Sequence, residues 1–274
     1  MTTILGIDAA WTKKEPSGVA LIQGHSDSWV CLSIAPSYQS FIDAANGSPV
    51  NWDARPKGDW PNPSALLSAA RTLAGAEVDL VTIDMPIATS PIHGRRVADN
   101  EVSKRFGARG CSTHSSTLER PGKLGAELTA AFGVLGYPVA TVTARPDHDR
   151  HLVEIYPHPA LLALLNRPTR VPYKQSKSNK YWPGQPVNVR IRNLLAEYAG
   201  IEAALTRIFG TLPSLPSPET FTTLSQLKRL EDALDGLVAC WVGMLCATGK
   251  ATPLGNGVAA IWCPTAALEL PPLS

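Results

Sequence analysis

The chain has 274 residues, five cysteines and a net charge of +2, with apolar and charged fractions of 44% and 18%. This length allows a substantial core, and the composition is that of an ordinary soluble globular protein. The faint net charge does not argue for a nucleic-acid partner, so any basic surface must be local. The odd number of cysteines without zinc-type spacing excludes a disulfide framework and indicates a reducing compartment. With no recognisable secretory signal or membrane span, we expect a cytoplasmic protein that does not bind membranes.

The first part of the chain alternates short apolar runs with turns of Gly, Pro and Ser, which is typical of an antiparallel meander. The predicted strands of this meander are Thr3 to Ile7, Val19 to Ile22 and Trp29 to Ile34. In the polar region that follows, residues 38–45 have the pattern of a short helix. We then predict a helix from Ser64, its cap, to about residue 73, and a β-branched strand over residues 78–84. This order predicts an α/β sheet with mixed strand directions.

The second part of the chain contains two segments with little periodicity, residues 85–125 and 167–184. The predicted helices cover about residues 124–135, 159–165, 188–209 and 222–248, and the predicted strands cover residues 139–142 and 152–156. We therefore expect one domain over residues 1–274 with insertions at about 85–125 and 167–220.

Four aspartates occupy positions where a charge calls for an explanation. Asp8 and Asp84 each terminate an apolar strand, whereas Asp232 and Asp235 lie one turn apart, on one face, at the start of the most apolar helix. Each has an ordinary explanation too, since Asp often begins turns, acids favour first helical turns, and Lys228 precedes Asp232 by four residues. Four clustered carboxylates, however, repel one another unless a divalent cation compensates them, and oxygen ligands suit Mg²⁺ or Mn²⁺. Two such ions can activate water and hydrolyse a phosphodiester.

These features resemble a known fold. A first strand ending at Asp8, then a meander, a helix and a strand ending in an acid resemble the RNase H-like fold. The late helix that opens with Asp232 to Leu237 is similar to that of Holliday-junction resolvases of the RuvC type. The resemblance implies an α/β fold in which a mixed sheet, a three-stranded antiparallel meander plus parallel strands, is flanked by helices. It also implies catalytic and metal-binding roles for Asp8, Asp84, Asp232 and Asp235, although the resolvases usually carry Glu where this chain has Asp84.

The chain resembles still more closely a large uncharacterised family of predicted RNase H-like nucleases, catalogued as a domain of unknown function. The matching pieces are Gly6 to Ala9, Ser17 to Ala20, Ile83 to Pro86, Arg95 to Asp99 with Glu101, Glu154 to Pro157, Asp232 to Leu237 and Ile261 to Pro264. They span nearly the whole chain and are fairly specific in this order. Since nuclease activity in that family is inferred from the fold, the resemblance implies the fold more directly than the reaction.

Three further charged residues lie near the predicted site. Glu154 faces away from its neighbours on a predicted strand, so it is either a fifth metal ligand or the ion-pair partner of Arg95 or Arg96. Arg95 and Arg96 follow Asp84 in a long loop, where they either contact a substrate phosphate or order the loop through ion pairs.

The segment from Ile155 to Ala196 contains no Asp or Glu but several cations interleaved with aromatic residues. Such a charge run is often only a solvated segment, but cations track phosphates and aromatic rings stack on exposed bases. The residues that we predict to contact nucleic acid are Arg95, Arg96, Arg170, Lys174, Lys177, Lys180, Tyr181 and Trp182.

The leading hypothesis is therefore a nuclease for DNA or RNA that uses two Mg²⁺ or Mn²⁺ ions. An actin-like or sugar-kinase-like phosphotransferase is an alternative with a related sheet, but no glycine-rich phosphate loop follows Asp8. A non-catalytic nucleic-acid-binding module is the other alternative, because intact acids show capacity and not turnover. The sequence leaves the oligomeric state open, a homodimer included.

Overall fold

A computed structural model describes residues 1–117, 121, 123–213, 215–216 and 220–273. Within these ranges, seven strands form one sheet in the order β3-β2-β1-β4-β5-β7-β6. The strands are β1 (Thr2–Asp8), β2 (Gly18–His25), β3 (Ser28–Ala35), β4 (Leu80–Ile83), β5 (His151–Ile155), β6 (Ala251–Gly255) and β7 (Ala260–Pro264).

The sheet is mixed, as the sequence predicts. Strands β1, β2 and β3 form the antiparallel meander, β4, β5 and β7 continue parallel to β1, and β6 pairs antiparallel with β7. Ile7 of β1 is in register with Ile83 of β4, and the Asp84 amide donates a hydrogen bond of 2.9 Å to the Ile7 carbonyl. The carboxyl ends of β1 and β4 therefore lie side by side, which places Asp8 next to Asp84.

Helices cover both faces of this sheet. They are α1 (Tyr38–Ala45), α2 (Pro63–Ala74), α3 (Val97–Phe106), α4 (Lys123–Val134), α5 (Pro157–Leu164), α6 (Ser178–Tyr181), α7 (Val187–Phe209), α8 (Leu224–Ala247) and α9 (Thr265–Leu268). A 3₁₀ turn, Gln175–Lys177, precedes α6. Within the described ranges, no helix combines the length and apolar character that crossing a membrane requires.

The period-two alternation of the strands decides which side chains meet α8. Ile4 of β1 belongs to the core under α7 and α8, whereas Leu5 and Ile7 belong to the opposite core with α1, α2 and α4. The same alternation continues to Asp8, which therefore lies on the α8 side of the sheet. In β4, Thr82 lies against Gly243 of α8, so Asp84, two residues later, lies on that side as well.

Helix α8 lies directly on the strand backbones because glycines remove the side chains between them. A methyl group added at Gly18 would stand 1.8 Å from the carbonyl oxygen of Asp232, and one at Gly6 would stand 2.2 Å from that of Gly236. A methyl group added at Gly236 would stand 3.2 Å from the backbone of Gly18. With α7 packed on its other side, α8 is buried on nearly all faces, in agreement with its apolar sequence.

Several elements differ from the sequence predictions. The segment 85–125, predicted to be irregular, contains α3, whose amino end is closed by Asp99 accepting a hydrogen bond of 2.9 Å from the Arg96 amide. Residues 139–142 form only a single bridge at Val139 and no strand. The cap of α2 is the Asn62 side chain and not Ser64, since Pro63 takes the first helical position.

The carboxyl-terminal hairpin of β6 and β7 was not predicted at all. Pro253 lies in β6 and Gly255 ends it, two residues that argue against a strand. Because β6 is the edge of the sheet, it tolerates a proline that cannot donate to the ladder.

Candidate functional site

The late acids lie in the middle of a helix, not at its start. Helix α8 begins after Thr223, whose side chain caps it, so Asp232 lies in its third turn and Asp235 in its fourth. A first-turn preference therefore does not explain them. Both side chains are 1% exposed, as is expected only if something compensates their charge.

Asp8, Asp84 and Asp232 line one cavity of about 650 Å³ at the carboxyl ends of β1 and β4. The glycine contacts between α8 and the meander bring Asp232 to this place, and the strand register brings the other two. Three of the four predicted acids thus share a cavity, and the fourth, Asp235, lies one turn further along α8.

Two lysines compensate these acids. Lys174 Nζ lies 2.5 Å from Asp235 Oδ2 and 3.5 Å from Glu231 Oε1. Lys228 pairs with Asp232 and lies 3.5 Å from Glu231 Oε1. Five carboxyl groups therefore face two ammonium groups, and the cluster has an excess of acid.

The excess appears in the pKa values of the acids. Burial raises the pKa of Asp235 to about 7 against the opposing charge of Lys174, and the charges of Asp8 and Glu231 act in the same direction as burial. Burial also raises the pKa of Asp84 and Asp232 well above the ordinary range, and the charge of Asp8 raises both further. Asp8 thus acts on all three of the other predicted acids, which the sequence alone could not show.

Asp235 and Asp232 differ in how many of their carboxylate oxygens are free for a ligand. Asp235 is occupied at both oxygens, because the Tyr173 hydroxyl donates to Oδ1 at 2.7 Å and Lys174 donates to Oδ2. Asp232 is bonded by Lys228 at Oδ1, whereas its buried Oδ2 has no hydrogen-bond partner among the described residues.

Glu154 lies outside this cluster because its strand directs it to the other side of the sheet. Val153 and Ile155 pack in the core under α8, so Glu154 faces away from that helix. Arg96 pairs with it through both nitrogens, at 2.5 and 2.6 Å, and the Ile87 amide donates at 3.0 Å. Of the two roles that the sequence allows Glu154, metal ligand or ion-pair partner of an arginine, the structure therefore contains the ion pair with Arg96.

Arg95 and Arg96 are both engaged within the loop that follows Asp84. Arg96 also binds Asp99 at 2.9 Å and has a side chain only 8% exposed. Arg95 donates to Asn100 at 2.8 Å and to the Asp99 carbonyl at 2.9 Å. These contacts order the loop, which is the role that the sequence offers as the alternative to binding a substrate phosphate.

The predicted nucleic-acid residues of the basic segment divide into four groups. Lys174 points inward to the acids, as described above. Tyr181 and Trp182 contact each other edge to face, with ring centroids 5.7 Å apart, and Trp182 packs on the core beside α7 and α8. Lys180 is exposed, and Arg170 and Lys177 line a second cavity that also contains Asp84.

Two contributors to the site were missed by the sequence reasoning. Glu231 is 2% exposed and accepts hydrogen bonds from the Gln175 amide at 2.5 Å and the Tyr198 hydroxyl at 3.3 Å. Glu231 follows the buried Leu227 by four residues and therefore shares its helix face, which was a signal in the sequence that Glu231 faces the core. Tyr173, which bonds Asp235, carried no such signal, since its contact spans 62 residues.

The donor set fits a divalent cation in its chemistry. Asp8, Asp84 and Asp232 offer only oxygen ligands, line a cavity with more carboxyl than ammonium groups, and include one buried oxygen without a hydrogen-bond partner among the described residues. Over the described ranges, no three Asp, Glu, His or Cys side chains are grouped so that they could hold a metal ion. Lys228 lies against Asp232, so a cation there requires this ammonium group to move.

Comparison with known proteins gives one match. The family model described as "Protein of unknown function (DUF429)" matches residues 6–259, which is most of the chain. No curated protein matches, and no solved structure matches.

Proposed function

We propose that this chain, which belongs to the DUF429 family, is a divalent-metal-dependent nuclease with an RNase H-like fold. The observation that carries the proposal is the convergence of Asp8, Asp84 and Asp232 on one cavity with more carboxyl groups than ammonium groups around it. An excess of buried acid favours a cation, and oxygen-only ligands favour Mg²⁺ or Mn²⁺.

The sheet supports the RNase H-like part of the proposal. Its antiparallel meander β1–β3 continues into parallel strands on the β1 side, with helices on both faces. The acids end β1 and follow β4, and the third element that supplies acids is the late helix. This is the arrangement that the resemblance to RuvC-type resolvases implies.

Asp8, Asp84 and Asp232 would hold the metal, whereas Asp235, the fourth predicted ligand, would stay paired with Lys174. A bound divalent ion supplies an activated water and neutralises charge on a phosphodiester. Lys228 is the residue that gives way, because its side chain is 37% exposed and its ammonium can turn into solvent. Lys174, at 19%, is more enclosed and keeps Asp235 and Glu231 compensated.

The test measures cleavage and metal binding separately. Purified protein is incubated with Mn²⁺ or Mg²⁺ and labelled DNA and RNA in single-stranded, double-stranded and branched forms. We expect cleavage that Asp8→Asn abolishes and that Asp27→Asn, an exposed acid in the β2–β3 turn, leaves unchanged. Titration calorimetry with Mn²⁺ is the second readout, and Asp232→Asn is expected to weaken binding.

A non-catalytic binding module is the second candidate, because Lys174 and Lys228 already compensate part of the acid. It predicts nucleic-acid binding that is independent of Mn²⁺ and unchanged in Asp8→Asn. Absence of both Mn²⁺ binding and cleavage in the wild-type protein would overturn the nuclease proposal.

A further inference from the structure

A second cavity, of about 300 Å³, adjoins the carboxylate cluster and is lined by both acidic and basic side chains. The charged residues of its lining are four acids, Asp84, Asp99, Glu154 and Glu231, and five cations, Arg96, Arg170, Lys174, Lys177 and Lys228. Arg96, Lys174 and Lys228 already pair with acids, and the other two cations, Arg170 and Lys177, are called the basic wall below. The volume is at the lower end of ligand pockets, which suits a single small group and not an extended strand.

Among the described residues, the hydrogen-bond acceptors that hold the Arg170 side chain are uncharged. Its guanidinium bonds His158 Nε2 and donates to the Gly110 carbonyl at 3.3 Å. Over the residues that the structure describes, no carboxylate forms an ion pair with Arg170 or Lys177. Two positive charges therefore stand in one cavity without a counter-charge of their own.

His158 fixes the orientation of this arginine. The ring is 5% exposed and lies edge to face with Tyr156 and Tyr173, at centroid distances of 5.2 and 5.6 Å. Burial, together with the nearby charge of Arg170, lowers the pKa of His158 well below its ordinary value, so the ring stays neutral and Nε2 remains an acceptor. An arginine held before a ligand arrives loses less freedom on binding.

The cations also repel each other. Burial lowers the pKa of Lys177, and the charges of Arg170, Lys180 and Lys174 lower it further. An anion in the cavity would relieve this repulsion. A phosphate monoester carries about 1.5 to 2 negative charges at pH 7, whereas an internal diester carries one.

We propose that Arg170 and Lys177 bind the terminal phosphate monoester of a nucleic-acid strand, with His158 as the positioning residue for Arg170. The two charges of the wall match the terminal group better than they match an internal diester. Asp84 lines the same cavity, so a terminal phosphate held by the basic wall would lie beside one of the proposed metal ligands. The inference rests on the proposed nuclease function, and it makes that nuclease one that acts at phosphorylated ends.

Binding without turnover tests this inference separately from the reaction. In an Asp8→Asn background with EDTA, fluorescence anisotropy compares one short oligonucleotide with a 5′-phosphate, a 3′-phosphate or no terminal phosphate. We expect one phosphorylated form to bind about tenfold tighter or more than the unphosphorylated form, as for a charge-assisted contact. The end that binds tighter identifies the polarity.

Variants of the basic wall then assign the contact. Arg170→Gln and Lys177→Gln are each expected to remove most of the preference. Arg167→Gln, an exposed arginine of the same segment that pairs with Glu197 at 3.6 Å, is expected to keep it. If Arg170→Gln lowers the melting temperature, Lys177→Gln decides, since this side chain is only half-buried and bonds no described residue.

Equal affinities for phosphorylated and unphosphorylated strands overturn this inference. Cleavage of unphosphorylated strands at an equal rate would do so too, while leaving the nuclease proposal intact. A terminal preference that depends on Arg170, in a protein that binds no Mn²⁺ and cleaves nothing, would support the pocket and overturn the nuclease.

Discussion

Asp235 gives this protein a pH-dependent stability whose size follows from the structure. Its pKa rises from an ordinary 3.8 to about 7 on folding, because the carboxyl is buried and Asp8 and Glu231 are close. At 1.36 kcal/mol for each pH unit, the difference corresponds to roughly 4 kcal/mol. The side chain is 1% exposed, so solvent screening does not reduce this figure substantially.

The direction follows from which state holds the proton. Between about pH 4 and pH 7 the unfolded chain has an ionised Asp235 and the folded chain a protonated one, so the folded state binds more protons. The stabilising contribution is complete below the unfolded pKa of 3.8 and is lost as the pH rises through the folded pKa of about 7. Asp84 and Asp232, whose pKa values are also raised, act in the same direction.

The assay is urea unfolding of the wild-type protein and of Asp235→Asn across this pH range. The variant lacks the titrating group, so the stability of the wild type relative to the variant is expected to fall by roughly 4 kcal/mol from about pH 4 to pH 7. Asp27→Asn, in an exposed turn, is expected to run parallel to the wild type. Parallel curves for Asp235→Asn would refute the reasoning from burial. If the proposed metal site is correct, saturating Mn²⁺ should flatten the wild-type curve, because a nearby cation lowers carboxyl pKa values.

Three further predictions concern stability and reactivity. Gly18→Ala is expected to destabilise the protein by several kcal/mol in thermal unfolding, since the added methyl group would lie 1.8 Å from a carbonyl oxygen of α8. The control Gly133→Ala in α4 places its methyl group in open space and should leave the stability unchanged or raise it. Arg96→Met should lower the free energy of unfolding by about 3–5 kcal/mol, because it leaves Glu154 buried without its ion-pair partner. The double variant Arg96→Met with Glu154→Gln should recover part of this loss of stability. A loss under about 1 kcal/mol for Arg96→Met would contradict the role of the ion pair. In the native protein a thiol reagent should label almost no cysteine until denaturant is added, since all five cysteines are buried and free. Burial also raises the pKa of Cys111 to about 11, which keeps its thiol unreactive. Fast labelling before unfolding would contradict this packing.

Much of the fold could be predicted because its signals are local. The apolar runs of β1, β2 and β3, the apolar length of α8 and the helical periods of α4 and α7 appear in the sequence within a few residues of their observed bounds. The acids at the ends of apolar elements are local signals too, so the sequence alone already proposes all four aspartates as candidate site residues. Elements with weak periodicity, such as α3 and the β6–β7 hairpin, were missed because tertiary contacts, not local pattern, stabilise them.

What only the tertiary structure decided is which charges face each other. The sequence places Lys174 in a basic segment, but folding brings it to Asp235, 61 residues away, and makes it a counter-charge of the acids. The sequence leaves Glu154 with two possible roles, and strand alternation together with the position of Arg96 selects the ion pair. Local pattern fixes burial and secondary structure, because these depend on neighbours along the chain. Electrostatic compensation depends on distance in space, and only the packing of α8 against the glycines of β1 and β2 sets those distances.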